Sequence, residues 1–237
     1  MVNNNEFQKL EINPIGFVRS CYKQKFGTPR QSGLVPQSFA VIELLPEFQP
    51  QFSLQGLQDC SHIWVIFWFH KSENSRFHAK VHPPRLEGKT MGVFATRSPN
   101  RPNPLGLSLV KLEKIENNQL HISGVDFIEG TPIFDLKPYL VQTEAIVDAQ
   151  SGWSQNSADL QLQVEWDLKA QKAIQDLDCG SLKDLIEGTL KRDPRPLVYR
   201  QNKPQYRDKH AIFVDNFDVH FKVLDDTRIL VTDLIKI

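Results

Sequence analysis

A chain of 237 residues, 40% of them hydrophobic and 24% charged, has the composition of an ordinary soluble globular protein. It is long enough for one large domain or two small ones, burying roughly 70–75% of the unfolded surface. Twenty-eight basic residues balance twenty-eight acidic ones, which argues against indiscriminate nucleic-acid binding, because non-specific affinity is mainly phosphate neutralisation. Residues 1–20 lack the continuous apolar stretch of a secretory signal, the longest apolar run (residues 63–69) is too short to cross a bilayer, and three well-separated cysteines make neither a disulfide framework nor a zinc site.

The first two-thirds reads as mainly β. Strands are predicted at residues 12–19, 39–45, 63–69, 91–96, 105–114, 120–127 and 132–136, rich in Val, Ile, Phe and Trp and separated by Gly, Pro and Asn clusters. Many short strands at this spacing predict a barrel or sandwich, and the lack of regular strand–helix alternation excludes a doubly wound sheet. Residues 151–158 are small and polar, as in a linker. Beyond them, helices are predicted at 165–177 and 181–191, with Ser181 as N-cap and Asp193-Pro-Arg-Pro196 as the stop. Three short strands follow, at 210–214, 218–224 and 228–235. The expected organisation is a β domain over residues 1–155 and a small α+β domain over 156–237.

Charge is unevenly laid out. Residues 76–111 carry seven Lys or Arg against Glu87 alone, residues 191–210 carry seven against two acids, and residues 113–187 carry fourteen acids against five lysines. Such a layout permits a local footprint for a specific RNA without demanding one.

The most constrained stretch is Phe94-Ala-Thr-Arg-Ser-Pro-Asn-Arg-Pro-Asn-Pro-Leu-Gly106. Its prolines hold φ near −65° and push each preceding residue toward extended geometry. Residues 98–104 therefore read as a stiff loop that carries Arg97 and Arg101 toward an anionic group; the plain alternative is two solvated arginines. In Asp135-Leu-Lys-Pro-Tyr139, the Asp, Lys and Tyr fall at i, i+2 and i+4, which an extended segment places on one face. Pro138 marks an edge or an end of that strand. An acid, a base and a phenol on one face can hold and deprotonate a polar substrate, or can be a surface ion pair beside a tyrosine. His70, where the apolar strand emerges next to Lys71, is a candidate binding group. His78 and His82 are four apart, but the prolines that follow argue against a helix that would pair them on a metal. The segment Lys23-Gln-Lys-Phe-Gly-Thr-Pro-Arg-Gln-Ser-Gly33 is basic, turn-rich and free of acids.

Taken together, Pro29-Arg-Gln-Ser-Gly-Leu34, the strand from Trp64 to His70, Pro83-Pro-Arg-Leu86, Met91-Gly-Val-Phe-Ala-Thr-Arg-Ser98, Arg101-Pro-Asn-Pro-Leu-Gly106 and Asp135-Leu-Lys-Pro-Tyr139 resemble the TsaA-like family, also called TrmO. Asp193-Pro-Arg-Pro196, Tyr199 and the later strands resemble that family's C-terminal domain. The resemblance implies a single β-barrel methyltransferase that uses S-adenosylmethionine, consistent with the missing Gly-rich dinucleotide fingerprint. It implies transfer to N6 of threonylcarbamoyl-adenosine next to the tRNA anticodon, by a homodimer; from the residues themselves, the scattered cysteines point to a reducing cytoplasm, and neither a metal nor a membrane is expected. By motif it places the cofactor against Pro29, Arg30, Gln31, His70, Lys71, Arg97, Leu107, Asp126, Phe127, Ile128 and Glu129. Asp135 is nominated as the base, with Lys137 and Tyr139 holding its geometry or the substrate, and Asp126 is the alternative base. Arg101, Arg195, Lys203 and Arg207 are assigned to the tRNA substrate. Two other classes stay open: a regulatory protein that binds S-adenosylmethionine without catalysis, and a cofactor-free RNA-binding barrel that uses its apolar strand as a stacking platform.

Overall fold

The computed structural model describes residues 10–72, 77–83, 86, 88–155, 161–177, 179–195 and 209–237. Six strands close into a barrel: β1 (Gly16–Ser20), β2 (Phe39–Leu44), β3 (His62–Trp68), β6 (Leu105–Glu116), β7 (Gln119–Ser123) and β8 (Pro132–Pro138), in the order β1-β2-β7-β6-β3-β8. Closure comes from β1 pairing antiparallel with both β2 and β8. A two-stranded ribbon, β4 (Lys80–Val81) and β5 (Met91–Gly92), and two single-turn helices, α1 (Pro50–Ser53) and α2 (Val141–Glu144), sit outside the barrel sheet.

Alternation along the strands builds the core. Ile63, Val65 and Phe67 of β3 point inward, while Trp64, Ile66 and Trp68 point outward. Val18, Ile42, Leu44, Val110, Leu112, Leu120, Ile122 and Ile133 complete the filling. Each such side chain contributes roughly 1.5–3 kcal/mol by leaving water. Gly106 pairs with Phe67, and a Cβ there would lie 2.1 Å from the Phe67 ring. The ring therefore folds over the strand at one end of the barrel, where it meets Phe69 and Phe127 edge to face at 5.0 and 4.8 Å.

The mainly β reading holds, with several boundaries moved. The first strand starts at Gly16 because Pro14 has no N–H to give the ladder. The strand expected at 91–96 ends at Gly92, and Val93–Ala95 form a single 3-10 turn. The run 120–127 leaves the sheet after Ser123, where Ser38 captures the next two N–H groups: Gly124 donates to its carbonyl at 2.8 Å and Val125 to its hydroxyl at 2.7 Å.

After the barrel, β9 (Gln163–Trp166) is followed by α3 (Leu168–Asp176) and α4 (Gly180–Lys191). Then come β10 (Lys209–Val214), β11 (Phe217–Val223) and β12 (Arg228–Lys236). The helix expected from residue 165 is thus strand at its start, because β9 pairs in parallel with β12. Asp167 caps α3 by accepting the Ala170 N–H at 2.8 Å. The Ser181 cap is corrected as well: α4 begins at Gly180 after Cys179, without a side-chain cap. The sheet order is β10-β11-β12-β9. Its inward residues, including Ile212, Val219, Phe221, Ile229 and Val231, are buried in one cluster with Ala170, Ile174, Leu185 and Leu190 of the helices and with the barrel core.

Among the described residues, polar links join the barrel to the C-terminal sheet and to α4. Tyr22 forms an isolated bridge with Val214, Asp215 N–H donates to the Cys21 carbonyl at 2.6 Å, and the Tyr22 and Thr189 hydroxyls share a buried hydrogen bond at 3.1 Å. Among the described residues no helix is long and apolar enough to cross a membrane.

Candidate functional site at the barrel mouth

Three loops and one strand, distant in sequence, converge at the end of the barrel plugged by Phe67. The turn-rich loop after β1 brings Gln31 and Ser32, the proline-rich loop before β6 brings Arg97, β6 itself brings Ser108, and the connection from β7 to β8 brings Asp126. Arg97 Nη1 donates to Gln31 Oε1 at 2.7 Å, with the Arg97 side chain otherwise exposed. Ser108 is buried and donates its hydroxyl to Asp126 Oδ1 at 2.7 Å.

Burial pushes the Asp126 carboxyl up to about 6, against the lowering effects of Ser108, the Ser32 backbone N–H and the Arg97 charge. The carboxyl therefore titrates near neutrality beside a guanidinium, a combination frequent where chemistry is done. His70 lies at the turn after β3, with its N–H on the Trp68 carbonyl at 2.8 Å. Its Nδ1 is buried with no hydrogen-bond partner. Burial first, then the charges of Lys71 and Lys25, hold its pKa below the usual histidine value. A buried ring nitrogen without a partner is rare in a native structure, and a ligand is one kind of group that would satisfy it.

The structure treats the remaining sequence candidates differently from one another. Leu107 points outward and is 53% exposed, while its neighbour Ser108 points in. Lys71 and Arg30 are exposed and Pro29 is buried. Within the Asp126–Glu129 segment, Phe127 is buried in the plug. Glu129 braces the loop after β1, accepting the Ser20 N–H at 2.8 Å and Lys23 Nζ at 3.0 Å. Ile128 is half-buried, and its carbonyl accepts the Thr131 hydroxyl at 2.7 Å.

The two arginines of the proline-rich loop part company. Arg101 turns back on its own loop, donating to the Thr96 carbonyl at 2.7 Å and the Val93 carbonyl at 3.4 Å, with its charge 5.8 Å from the Phe94 ring centroid. Arg101 thereby stiffens the segment that presents Arg97.

Asp135, Lys137 and Tyr139 do share one face, the outer wall. Asp135 aligns with Ile66, and Lys137 with Trp64. Lys137 Nζ lies 3.0 Å from Asp135 Oδ2, both half-exposed, and the Tyr139 ring meets Trp64 edge-on at 6.1 Å. Ile66 also aligns with Leu107 on its other side. Leu107, Ile66 and Asp135 therefore form one outward row across three strands, spanning about 10 Å at the usual strand spacing. Pro138 is the last residue of β8, as its chemistry requires.

Arg195 is 9% exposed and forks onto Asp193, Nε to Oδ1 at 2.9 Å and Nη2 to Oδ2 at 3.1 Å. Its guanidinium faces a buried carboxylate instead of open solvent. Lys203 and Arg207 lie outside the described residues. Among the described residues no cluster of metal-ligating side chains exists, and His82 Nδ1 is within 3.2 Å of the Gly88 carbonyl.

Sequence reasoning missed Ser108, whose signal was a hydroxyl at an inward position of an otherwise apolar strand. It also missed Trp153. That residue sits in the stretch read as a linker, yet its indole N–H donates to the Ala95 carbonyl at 2.8 Å and pins the proline-rich loop from outside.

Residues 17–145 match the family model described as the tRNA-methyltransferase O N-terminal domain, and residues 159–237 match the one described as the TrmO C-terminal domain. A Pseudomonas aeruginosa protein named putative S-adenosylmethionine-dependent methyltransferase RcsF is 38% identical over 214 residues, covering 89% of this chain and 91% of that protein. A tRNA (adenine(37)-N6)-methyltransferase of Escherichia coli is 35% identical over 223 residues, covering 91% and 94%. The rat protein of the same name is 46% identical over 142 residues, 59% of this chain and 33% of its own length. A crystal structure of TrmO from Pseudomonas aeruginosa superposes with a TM-score of 0.79 at 33% identity, covering 98% of this chain and all of that one. The chain belongs to the tRNA-methyltransferase O family.

Proposed function

We propose that this protein is a tRNA methyltransferase that transfers a methyl group from S-adenosylmethionine to N6 of a threonylcarbamoyl-adenosine next to the anticodon. The observation that carries the reading is the meeting, in a chain of this family, of Arg97, Gln31 and the half-buried Asp126 at the barrel mouth, with the unpartnered His70 nitrogen in the turn that leaves β3. This donor set suits a ligand that carries a carboxylate, a positive centre and a heteroaromatic ring. Arg97 has the planar fork for a carboxylate, Asp126 has the charge for a cation, and His70 has a free ring nitrogen for a hydrogen bond. S-adenosylmethionine supplies a methyl group already activated on a positively charged sulfur.

The protein's own part is to orient the acceptor, exclude water and remove a proton. The acceptor nitrogen is a weak nucleophile, because its lone pair is delocalised, and its N–H is correspondingly acidic. Asp135 is the proposed base, with Lys137 and Tyr139 holding its geometry or the substrate carboxylate, and Asp126 is the alternative. The row Leu107–Ile66–Asp135 supports the first choice by placing Asp135 on the wall that carries a proposed cofactor contact.

In this reading residues 1–155 form the cofactor-binding catalytic unit and residues 156–237 contact tRNA, with Lys203 and Arg207 among the contacts. Outward apolar side chains on β3 and β6, among them Trp68, Leu105 and Leu107 at 43%, 38% and 53% exposure, support a homodimer formed through that wall. The three free cysteines support a reducing, cytoplasmic setting.

The test is to incubate the protein with labelled S-adenosylmethionine and two tRNA pools, one carrying threonylcarbamoyl-adenosine and one lacking it. Label in the modified pool alone is the expected outcome. Binding of the cofactor with no label in either pool would replace catalysis by sensing, and label in both would move the target base.

A further inference from the structure

The loop that carries Pro29, Arg30 and Gln31 leaves the barrel at Tyr22, and what shapes it lies across the molecule. At Tyr22 the chain bridges to Val214 and hydrogen-bonds to Thr189 at 3.1 Å. Four residues on, the Phe26 ring meets His210 of β10 with centroids 6.5 Å apart, and His210 stacks on the buried Phe221 of β11 at 5.4 Å. Gly27 follows with φ +96°, and a Cβ built there would lie 3.0 Å from Ile212 Cγ2. The loop therefore reverses direction directly against β10, in a conformation that only glycine adopts without strain. At its far end the Gly33 N–H donates to the Gly124 carbonyl at 2.8 Å, which ties the loop to the segment bearing Asp126.

We propose that the C-terminal sheet sets the conformation of the cofactor loop, with Phe26, His210 and Ile212 acting as positioning residues that hold Gln31 where it meets Arg97. This rests on the reading that the loop touches the cofactor. None of the three residues is part of the barrel mouth. Ile212 is fully buried and His210 half-buried, so their influence passes through packing. A loop held in its binding-competent shape binds with its intrinsic affinity, and one released to several shapes binds more weakly in proportion to the competent fraction. The C-terminal region of this chain thereby acts on cofactor binding as well as on tRNA.

The experiment measures the dissociation constant of S-adenosylmethionine by calorimetry on the full chain. It compares the wild type with Ile212→Ala, His210→Ala, His210→Phe, Gln31→Ala and Ile229→Ala. Ile229 is equally buried in the same sheet, on β12, so its truncation controls for general loss of stability. Ile212→Ala and His210→Ala are expected to weaken binding about tenfold, His210→Phe to restore it by keeping the ring stack, and Ile229→Ala to leave it within about twofold. Trypsin cleavage of the native protein after Lys25 and Arg30 is expected to quicken in Ile212→Ala and His210→Ala only. Wild-type affinity and cleavage in Ile212→Ala and His210→Ala, with Gln31→Ala weakened, would overturn the positioning role alone. Wild-type affinity in Gln31→Ala would remove the loop from the site and the proposal with it.

Discussion

Asp126 at the mouth of the barrel and Asp135 on its outer wall are nine residues apart and live in different physical worlds. Asp126 is half-buried, bonded to the buried Ser108, and lifted to about 6 by loss of solvent. Asp135 stands half-exposed in a 3.0 Å ion pair with Lys137 that solvent screens. At the mouth, the partners come from three separate loops and from strand β6. On the wall, they come from a single strand at alternate positions. The contrast teaches that burial tunes a group at the mouth, whereas the wall offers a group whose properties are those of its immediate neighbours.

Exchange of the two carboxylates is the sharpest way to break this comparison. Asp135→Asn is expected to cost on the order of 10²-fold or more in methyl transfer while leaving cofactor affinity intact. Unchanged turnover in that variant, with turnover lost in Asp126→Asn, would transfer the base to the mouth.

A smaller effect isolates burial at Asp126. Its folded pKa is raised above the unfolded value near 3.9, so the native state holds the proton more tightly. Stability therefore falls as pH rises from about 4 to about 6, and the penalty is complete above that window. Asp126→Asn is expected to raise the unfolding free energy at pH 8 by about 1–3 kcal/mol and to change it little at pH 4. Equal effects at both pH values in urea unfolding would show that the carboxyl does not carry the burial cost.

The smallest effect concerns the loop that presents Arg97 to the mouth. Trp153→Phe removes one hydrogen bond to Ala95 and is expected to cost about 1 kcal/mol. It should quicken tryptic cleavage after Arg97, which Ser98 follows, with little change elsewhere. An unaltered cleavage rate would leave the loop's stiffness to its prolines and Arg101 alone.

Much of the barrel was legible because its signals are local. The apolar run in β3, the alternation that put Asp135, Lys137 and Tyr139 on one face, and the stop at Pro138 each follow from backbone geometry within a few residues. The strand at 163–166 was not legible. Its identity comes from pairing with β12, more than sixty residues later, and Gln-Val-Glu-Trp by itself suits a helix equally well.

The site divides along the same line. By itself the sequence determined that a stiff loop would carry Arg97 and Arg101, that an acid, a lysine and a tyrosine would line one strand face, and that several motifs would stand in a family's order. Only the tertiary structure decided that Arg97 reaches Gln31 while Arg101 folds back on its own carbonyls. It alone decided that Arg195 is enclosed with Asp193, and that Asp126 is desolvated enough to titrate near neutrality. The physical reason is one of range. Torsional preference and side-chain alternation act between neighbours along the chain, whereas desolvation and charge pairing depend on which distant segments the closed barrel brings within a few ångströms.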